Sequence, residues 1–139
     1  MKFIAQAKAT NNQPKPNPKT NMAAHNELGI LGENIAAKRL ASEGYQILER
    51  QWRFMHKEID IIAQKGNILA IVEVKTRSSE QYGSASDFIT PQKIEFLTAA
   101  ADVYARQSGL DCEIRFDEIA IFVIGNEYKL EHIENVFIP

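Results

Sequence analysis

The residues Ile68-Leu69-Ala70-Ile71-Val72 are apolar at every position, and they constrain the fold more than any other stretch of the chain. Because alternate residues of a strand face opposite sides of a sheet, such a run is buried on both faces and belongs in the middle of a sheet. The turn-like sequence Gln64-Lys65-Gly66-Asn67 precedes it, and Glu73-Val74-Lys75 follows it. The pattern predicts a central strand, Ile68–Lys75, with charged groups at one end.

Periodicity and end signals predict the other elements. A first helix is capped by Asn26 and ends near Gly44, and a second is capped by Thr90, begins at Pro91 and stops near Gly109. Further strands are predicted at Tyr45–Trp52, Glu58–Ala63, Ile114–Ile124 and Tyr128–Ile133, with a polar loop at Thr76–Asp87. The order α-β-β-β-α-β, followed by a hairpin strand, predicts an α/β fold with a mixed sheet flanked by helices.

The chain divides into a polar N-terminal segment and one domain. Residues 1–24 are rich in Asn, Pro, Lys and Thr and carry no acidic group, so they cannot bury enough apolar surface to offset the entropy of ordering. They are predicted to form a disordered tail, either a dispensable extension or a weak basic tether for DNA. Residues 25–139 have the length and patterning of a single domain.

Composition and charge limit the classes of function. The one cysteine, Cys112, excludes an intrachain disulfide, and no apolar run approaches the roughly 20 residues that span a bilayer. A cytoplasmic protein without membrane contact is therefore expected. The net charge is −2, and residues 94–139 carry nine acidic against three basic side chains. Charge alone thus argues mildly against a nucleic-acid ligand, and a face that binds a polyanion should come from the middle of the chain.

The chemistry-bearing pattern is Glu58-Ile59-Asp60 on one strand and Glu73-Val74-Lys75 on the next. Glu58 and Asp60 should share a face, as should Glu73 and Lys75, and a tight turn makes the two strands antiparallel neighbours. Asp60, Glu73 and Lys75 are then expected to converge at one edge of the sheet. Two adjacent carboxylates repel, and Mg²⁺ or Mn²⁺ would relieve this with oxygen ligands, including the backbone carbonyl of Val74. The lysine would orient water or stabilise charge on a phosphoryl group.

A plainer interpretation competes with this one. Glu and Lys two residues apart on a strand commonly form a solvent-side pair of little energetic value. Asp60 favours the metal site, because an acid inside a hydrophobic run is costly unless it is paired or bound to a metal. Glu33 is a further candidate ligand, since Gly32 beside it would let the first helix approach the sheet closely; alone, it would be taken for an exposed helical glutamate.

Candidates for contact with nucleic acid are weaker. Gln92 and Lys93 lie in the first turn of the second helix, where free N–H groups favour phosphate, but ordinary surface polarity explains them equally well. Arg77 follows the candidate lysine, and Arg53 stands between Trp52 and Phe54, as in stacking sites for bases, although a core Trp52 and a surface Arg53 are the simpler interpretation. The three histidines and Cys112 lack metal-ligand spacing, and Phe116-Asp117 is expected to serve folding.

Taken together, these motifs resemble the YraN family of small bacterial proteins and, more distantly, the archaeal Holliday junction resolvases of the PD-(D/E)XK superfamily. The matching stretches are His25-Asn26-Glu27-Leu28-Gly29, Gly32-Glu33, Glu58-Ile59-Asp60-Ile61-Ile62-Ala63, Val72-Glu73-Val74-Lys75-Thr76-Arg77, Pro91-Gln92-Lys93 and Arg115-Phe116-Asp117. The resemblance implies a restriction-endonuclease-like core, with Glu33, Asp60 and Glu73 as metal ligands and Lys75 as the catalytic lysine.

Two classes of function remain open from the sequence. The first is a Mg²⁺- or Mn²⁺-dependent endonuclease for branched or structured DNA, acting as a homodimer because a two-fold junction cut symmetrically requires two sites. The second is a non-catalytic module that keeps the fold to bind nucleic acid or a repair partner. A nuclease that acts on RNA or single strands is a third reading. The set of acids and lysine favours the first class, and the acidic C-terminal third favours the second.

Overall fold

The apolar run Ile68–Val72 lies in the middle of a six-stranded sheet, as predicted. A computed structural model describes residues 2–5, 18–78 and 89–138 of the chain. The elements in chain order are β1 (Lys2–Ala5), α1 (Pro18–Ser42), β2 (Gln46–Phe54), β3 (Lys57–Lys65), β4 (Ile68–Ser78), α2 (Pro91–Ser108), β5 (Glu113–Ile124) and β6 (Glu127–Ile133). The strand order in the sheet is β1-β6-β5-β4-β3-β2.

Strand β4 is central in both position and connection. It pairs antiparallel with β3 and parallel with β5, and α2 forms the crossover between the two parallel strands. The outer pairs, β2 with β3 and β5 with β6, are antiparallel. This α-β-β-β-α-β-β order around a mixed sheet is the arrangement of a restriction-endonuclease-like fold and confirms the predicted fold class.

Each face of the sheet packs against one helix. Ala36 and Leu40 of α1 are fully buried against Ala70 and Val72 of β4 and the strands beside it. On the other face, Leu97, Ala100, Ala101 and Tyr104 of α2 pack against Leu69, Ile71 and Phe116. The residues of β4 therefore alternate between two cores, which explains why its apolar run has no polar face.

The N-terminal region differs from the prediction. Helix α1 begins at Pro18, eight residues before the predicted cap Asn26, and Lys2–Ala5 forms strand β1 on the edge of β6. Pro18 suits a first helical turn, because its fixed φ matches a helix and its missing N–H has no helical partner there. The pairing of β1 with β6 joins residues more than 120 positions apart, which local patterning cannot reveal. The rest of the predicted tail, residues 6–17, lies outside the described residues.

Other boundaries shift by a few residues. Strand β4 continues through Thr76 to Ser78, into the predicted loop, because β5 pairs with it along its whole length. Residues 79–88 of that predicted loop lie outside the described residues. The signals at α2 are confirmed: the Thr90 hydroxyl accepts from the Lys93 N–H, Pro91 opens the helix, and Gly109 closes it with a φ of 65°.

Asp117 is the most buried acidic side chain of the described region, at 2% exposure. It accepts hydrogen bonds from the Arg115 guanidinium and the Asn135 N–H, and lies 2.9 Å from His132 Nε2. Burial alone would raise the pKa of Asp117, but its bonds with His132 and Arg115 hold that pKa below the usual range. This cluster ties β5 to β6 and to Tyr45 after α1, in keeping with the folding role expected for Phe116-Asp117.

No helix in the described ranges is both long and apolar enough to span a membrane.

Gly32 allows α1 to lie directly on the end of β4. A Cβ atom built at Gly32 would lie 1.7 Å from Thr76 Oγ1 and 2.9 Å from Thr76 Cβ. Atoms cannot approach so closely, so a side chain at this position would force either Thr76 or the helix to shift. The sequence-based expectation of a close helix–sheet contact at Gly32 is therefore confirmed.

Substitution of Gly32 should separate this steric requirement from ordinary helix propensity. Gly32→Ala is expected to lower the free energy of unfolding by about 1–3 kcal/mol through overpacking. Gly29→Ala is the matched control on the same helix, because nothing lies within 4 Å of a Cβ there. That control should raise stability by roughly 0.5–1 kcal/mol. Urea denaturation of both variants tests this, and equal effects of the two changes would contradict the close contact.

Candidate active site

Asp60 lies where the regular pairing of β3 breaks. In the β2–β3 register, Arg50 pairs with Ile61 and Trp52 pairs with Ile59, so Gln51 and Asp60 lie opposite each other without being a registered pair. The β3–β4 register likewise begins only at Ile61. Gln51 has a φ of 50°, a left-handed conformation that is uncommon outside glycine. The strands β3 and β4 thus separate at Asp60, which stands in the fork between them.

The carboxylate of Asp60 takes the place of a backbone partner for β4. Its Oδ2 accepts the N–H of Val74 at 2.8 Å. A strand residue points its N–H and C=O to the same side, so the Val74 carbonyl also faces the fork. Ile59 and Ile61, on either side of Asp60, lie in the opposite cores of the sheet. The alternation that predicted a common face for Glu58 and Asp60 is therefore interrupted at Asp60.

Glu33 reaches the same place from α1. It is 9% exposed, and its Oε2 accepts from Gln51 Nε2 at 2.9 Å. Its other oxygen, Oε1, is buried and has no hydrogen-bond partner in the described part of the chain. Buried polar atoms without partners are rare in folded proteins and call for an explanation. A ligand that donates a hydrogen bond, or a cation, would satisfy this oxygen.

Glu33 and Asp60 open onto one cavity of about 520 Å³ between α1 and the ends of β3 and β4. Other residues that line it are Val74, Lys75, Thr76, Arg77, Lys93 and His25. Of the predicted trio, the structure brings Asp60 and Lys75 to this cavity together. It also brings the buried Glu33, the candidate for which sequence gave the weakest support.

The charge on Asp60 is disfavoured in this setting. Burial, together with the negative charges of Glu33 and Glu73, raises the pKa of Asp60 from its ordinary 3.8 to about 6. The Val74 N–H and the Lys93 ammonium act in the opposite direction without cancelling the increase. Within the described residues Asp60 has no salt bridge, so its carboxylate is the group most in need of a cation.

Glu73 lies in a neighbouring cavity. It lines a second space of about 560 Å³ with Lys57, Glu58 and Gln92, and it forms an ion pair with Lys93, which lines both cavities. Its charge still acts on Asp60. In the described ranges, no three His, Cys, Asp or Glu side chains are arranged to hold a metal ion. Glu73 must therefore exchange Lys93 for an ion if it is to join Glu33 and Asp60.

Lys75 has a partner that the sequence did not reveal. Its Nζ lies 3.4 Å from Glu118 Oε1, and both side chains are less than one-fifth exposed. Glu118 is the register partner of Glu73 in the parallel pairing of β4 and β5, so its position beside Lys75 can be inferred only when the strand order is known. Gln51 was missed as well, because its contact with Glu33 depends on an irregular backbone. Neither residue has a local sequence signal.

The candidates for nucleic-acid contact are spread around the two cavities. Arg77 lines the first, Gln92 the second, and Lys93 both. Arg53 is exposed on β2 opposite Glu58, outside the residues that line these cavities. Trp52 and Phe54 stack with centroids 6.0 Å apart and pack against the α2 core, which supports the simpler interpretation of that run.

The fold and site together define a small protein of the restriction-endonuclease-like fold that carries acids and a lysine where β3 and β4 separate. The chain belongs to the family described as the uncharacterised protein family UPF0102, whose model matches residues 32–121. That span includes Glu33, Asp60, Glu73, Lys75 and Glu118. The family assignment confirms the resemblance to the YraN family, which is the family UPF0102.

Several curated relatives match over most of their length. A UPF0102 protein of Flavobacterium psychrophilum is 53% identical over 116 residues, which cover 84% of this chain and 98% of the relative. A UPF0102 protein of Flavobacterium johnsoniae is 48% identical over 120 residues, with coverage of 84% and 98%. One from Phocaeicola vulgatus is 41% identical over 118 residues, with coverage of 85% and 98%.

Asp60→Asn should change how stability depends on pH. Because folding raises the pKa of Asp60 to about 6, the unfolded chain releases this proton at lower pH than the folded protein does, so the wild-type protein loses stability as the pH rises from about 4 through about 6. The variant has no carboxyl to titrate at this position. The unfolding free energy of the variant relative to wild type should rise by about 2–3 kcal/mol between about pH 4 and pH 7. Denaturant titrations across this range measure it, with the exposed Asp111→Asn as control. A difference that stays constant with pH would contradict the raised pKa.

Proposed function

We propose that this protein is a divalent-metal-dependent endonuclease that hydrolyses phosphodiester bonds in branched or otherwise structured DNA. The observation that carries the proposal is the convergence of the buried Glu33 and the partly buried Asp60 with Lys75 on one open cavity. Glu33 has an oxygen with no hydrogen-bond partner in the part of the chain that the structure describes, and Asp60 has a raised pKa. Structural ion pairs serve to satisfy charge, whereas this cavity leaves charge unsatisfied, as functional sites commonly do.

The donor set fits a hard divalent cation. The ligands would be the carboxylates of Glu33 and Asp60, the backbone carbonyl of Val74, and Glu73 after its release from Lys93. Mg²⁺ and Mn²⁺ take oxygen ligands and keep several waters, so an open site with a few carboxylates is sufficient. When bound, such an ion supplies Lewis-acid stabilisation of phosphoryl charge and lowers the pKa of water.

The chain's own residues account for the remaining parts of the reaction. Lys75 lines the cavity and its ammonium is paired with Glu118; it would stabilise negative charge on a phosphoryl oxygen or orient the attacking water. Gln92, Lys93, Arg77 and Arg53 are the proposed contacts to phosphates of the DNA backbone. A homodimer would supply the two sites that a symmetric cut of a four-way junction requires.

A non-catalytic binding module is the second candidate function. It is favoured by the internal partners that three of the candidate groups already have: Gln51 on Glu33, Lys93 on Glu73, and Glu118 on Lys75. The acidic residues of the C-terminal third support it too, since they weaken attraction to a polyanion. Such a module would need neither a metal at Asp60 nor a reactive lysine.

Calorimetric titration with Mn²⁺ distinguishes the two functions at the level of binding. Wild-type protein is expected to bind Mn²⁺ with an affinity that Asp60→Asn reduces by about tenfold or more, since one charged ligand is lost. Glu33→Gln should weaken binding as well. Asp111→Asn removes an acid at an exposed position and should bind as wild type does. The same heat from wild type and Asp60→Asn would favour the non-catalytic module.

Cleavage of a labelled four-way junction tests catalysis directly. With Mn²⁺, the wild-type protein should nick the junction in preference to linear duplex, single-stranded DNA or RNA of the same sequence. Lys75→Ala and Glu73→Gln should each lower the rate by about 100-fold or more while leaving the fold intact. Glu58→Gln is the matched control, because Glu58 is an exposed acid beside Glu73 in the second cavity. Equal cleavage by wild type and both site variants would indicate a contaminant and remove the proposal's support.

A further inference from the structure

The second cavity already contains a cation next to the candidate acids, the ammonium of Lys93. It forms an ion pair with Glu73, and its charge acts on Asp60 as well. Of the lysines that the structure describes, Lys93 alone lines both cavities. It therefore stands at the boundary between the space that holds Glu33 and Asp60 and the space that holds Glu73.

The position of Lys93 in α2 is unfavourable for a cation on helix grounds alone. It lies in the first helical turn, and its N–H donates to the Thr90 hydroxyl at 3.2 Å. The positive end of the helix dipole disfavours a positive side chain in this turn. Glu73 offsets that repulsion. The capped backbone fixes the base of the side chain, whereas the side chain itself is 34% exposed and has room to turn.

Lys93 and Lys75 differ in what holds them. Lys75 is paired with Glu118, which does not contribute to the raised pKa of Asp60, and both partners are less than one-fifth exposed. Lys93 is more exposed, and its partner Glu73 is itself one of the candidate ligands. A divalent ion at Glu73 would compete with Lys93 for the same carboxylate and would repel its ammonium.

We propose that Lys93 is a tethered counter-ion. Its ammonium pairs with the Glu73 carboxylate in the metal-free protein and moves to a phosphate of the nucleic acid when a divalent cation binds. The proposal rests on the proposed function, because it assumes that Glu73 joins a metal site. It assigns one residue two successive partners, a carboxylate and then a phosphate. The free N–H groups of the first turn of α2 would assist the second contact. Metal binding and nucleic-acid binding are then coupled through Lys93.

The first test is a Mn²⁺ titration of the full chain by calorimetry without nucleic acid. Lys93→Met keeps the length of the side chain and removes its charge, so Mn²⁺ should bind about three- to tenfold more tightly than to wild type. Lys93→Arg keeps the competing charge and should bind Mn²⁺ about as wild type does. Lys57→Met is the control for net charge, because Lys57 lines the same second cavity but contacts Phe96 rather than Glu73. It should leave the Mn²⁺ affinity unchanged.

The second test measures binding of a four-way junction with and without Ca²⁺, which supplies a divalent charge in place of Mn²⁺. Wild-type protein should gain affinity for the junction when Ca²⁺ is added. Lys93→Met should lose most of that gain, because no ammonium is released toward the phosphate. Lys57→Met should keep it. Thermal unfolding of each variant verifies that the fold is retained.

The outcomes separate this inference from the proposed function. If Mn²⁺ binding requires Asp60 but Lys93→Met binds no more tightly than wild type, the counter-ion role is overturned and the metal site stands. Tighter binding by Lys57→Met to the same degree would also overturn it, since a general charge effect would then explain the result. If neither wild type nor Lys93→Met binds Mn²⁺, both proposals are overturned.

Discussion

The candidate site depends on the close contact between α1 and the end of β4. Gly32 lies against Thr76 with no room for a Cβ atom, and this contact sets the distance between helix and sheet. Glu33 is the next residue of α1, so the same contact buries its carboxylate in the cavity that holds Asp60. In this position Glu33 accepts a hydrogen bond from Gln51 Nε2 at 2.9 Å. The close packing that requires glycine at position 32 thus positions the carboxylate of Glu33.

The candidate site keeps polar and charged groups that are unfavourable for folding but available for binding or chemistry. Among the described residues one oxygen of Glu33 has no partner, Asp60 is partly buried with a raised pKa, and Lys93 is a cation in the first turn of a helix. Each of these features opposes folding, and each could be removed by a neutral side chain. The two cores on either side of β4 are large and continuous enough to carry them. Local conflicts of this kind, in an otherwise consistent fold, are typical of functional sites.

The sequence predicts those features that depend on local pattern. The apolar run of β4 identified the central strand, Thr90 and Pro91 identified the start of α2, and an acid within an apolar stretch identified Asp60. The common face expected for Glu58 and Asp60 is not kept, because β3 and β4 separate at Asp60 and the alternation is interrupted there. Glu118 and Gln51 were not predictable, since their contacts arise from a parallel strand pairing and from a left-handed residue. Strand β1 was not predicted either, because its partner β6 lies at the other end of the chain.

The fork at Asp60 explains how charged groups from both faces of one sheet act on a single carboxylate. Glu33 comes from the side of α1 and Lys93 from the side of α2, and a continuous pair of strands would separate them by the thickness of the sheet. Because β3 leaves β4 at Asp60, the gap between the strands is filled by a carboxylate that accepts from Val74. The charges of Glu33, Glu73 and Lys93 all act on that carboxylate. Asp60 is therefore subject to charged groups that line both cavities, and under the proposed function a cation bound there would change the partners available to each of them.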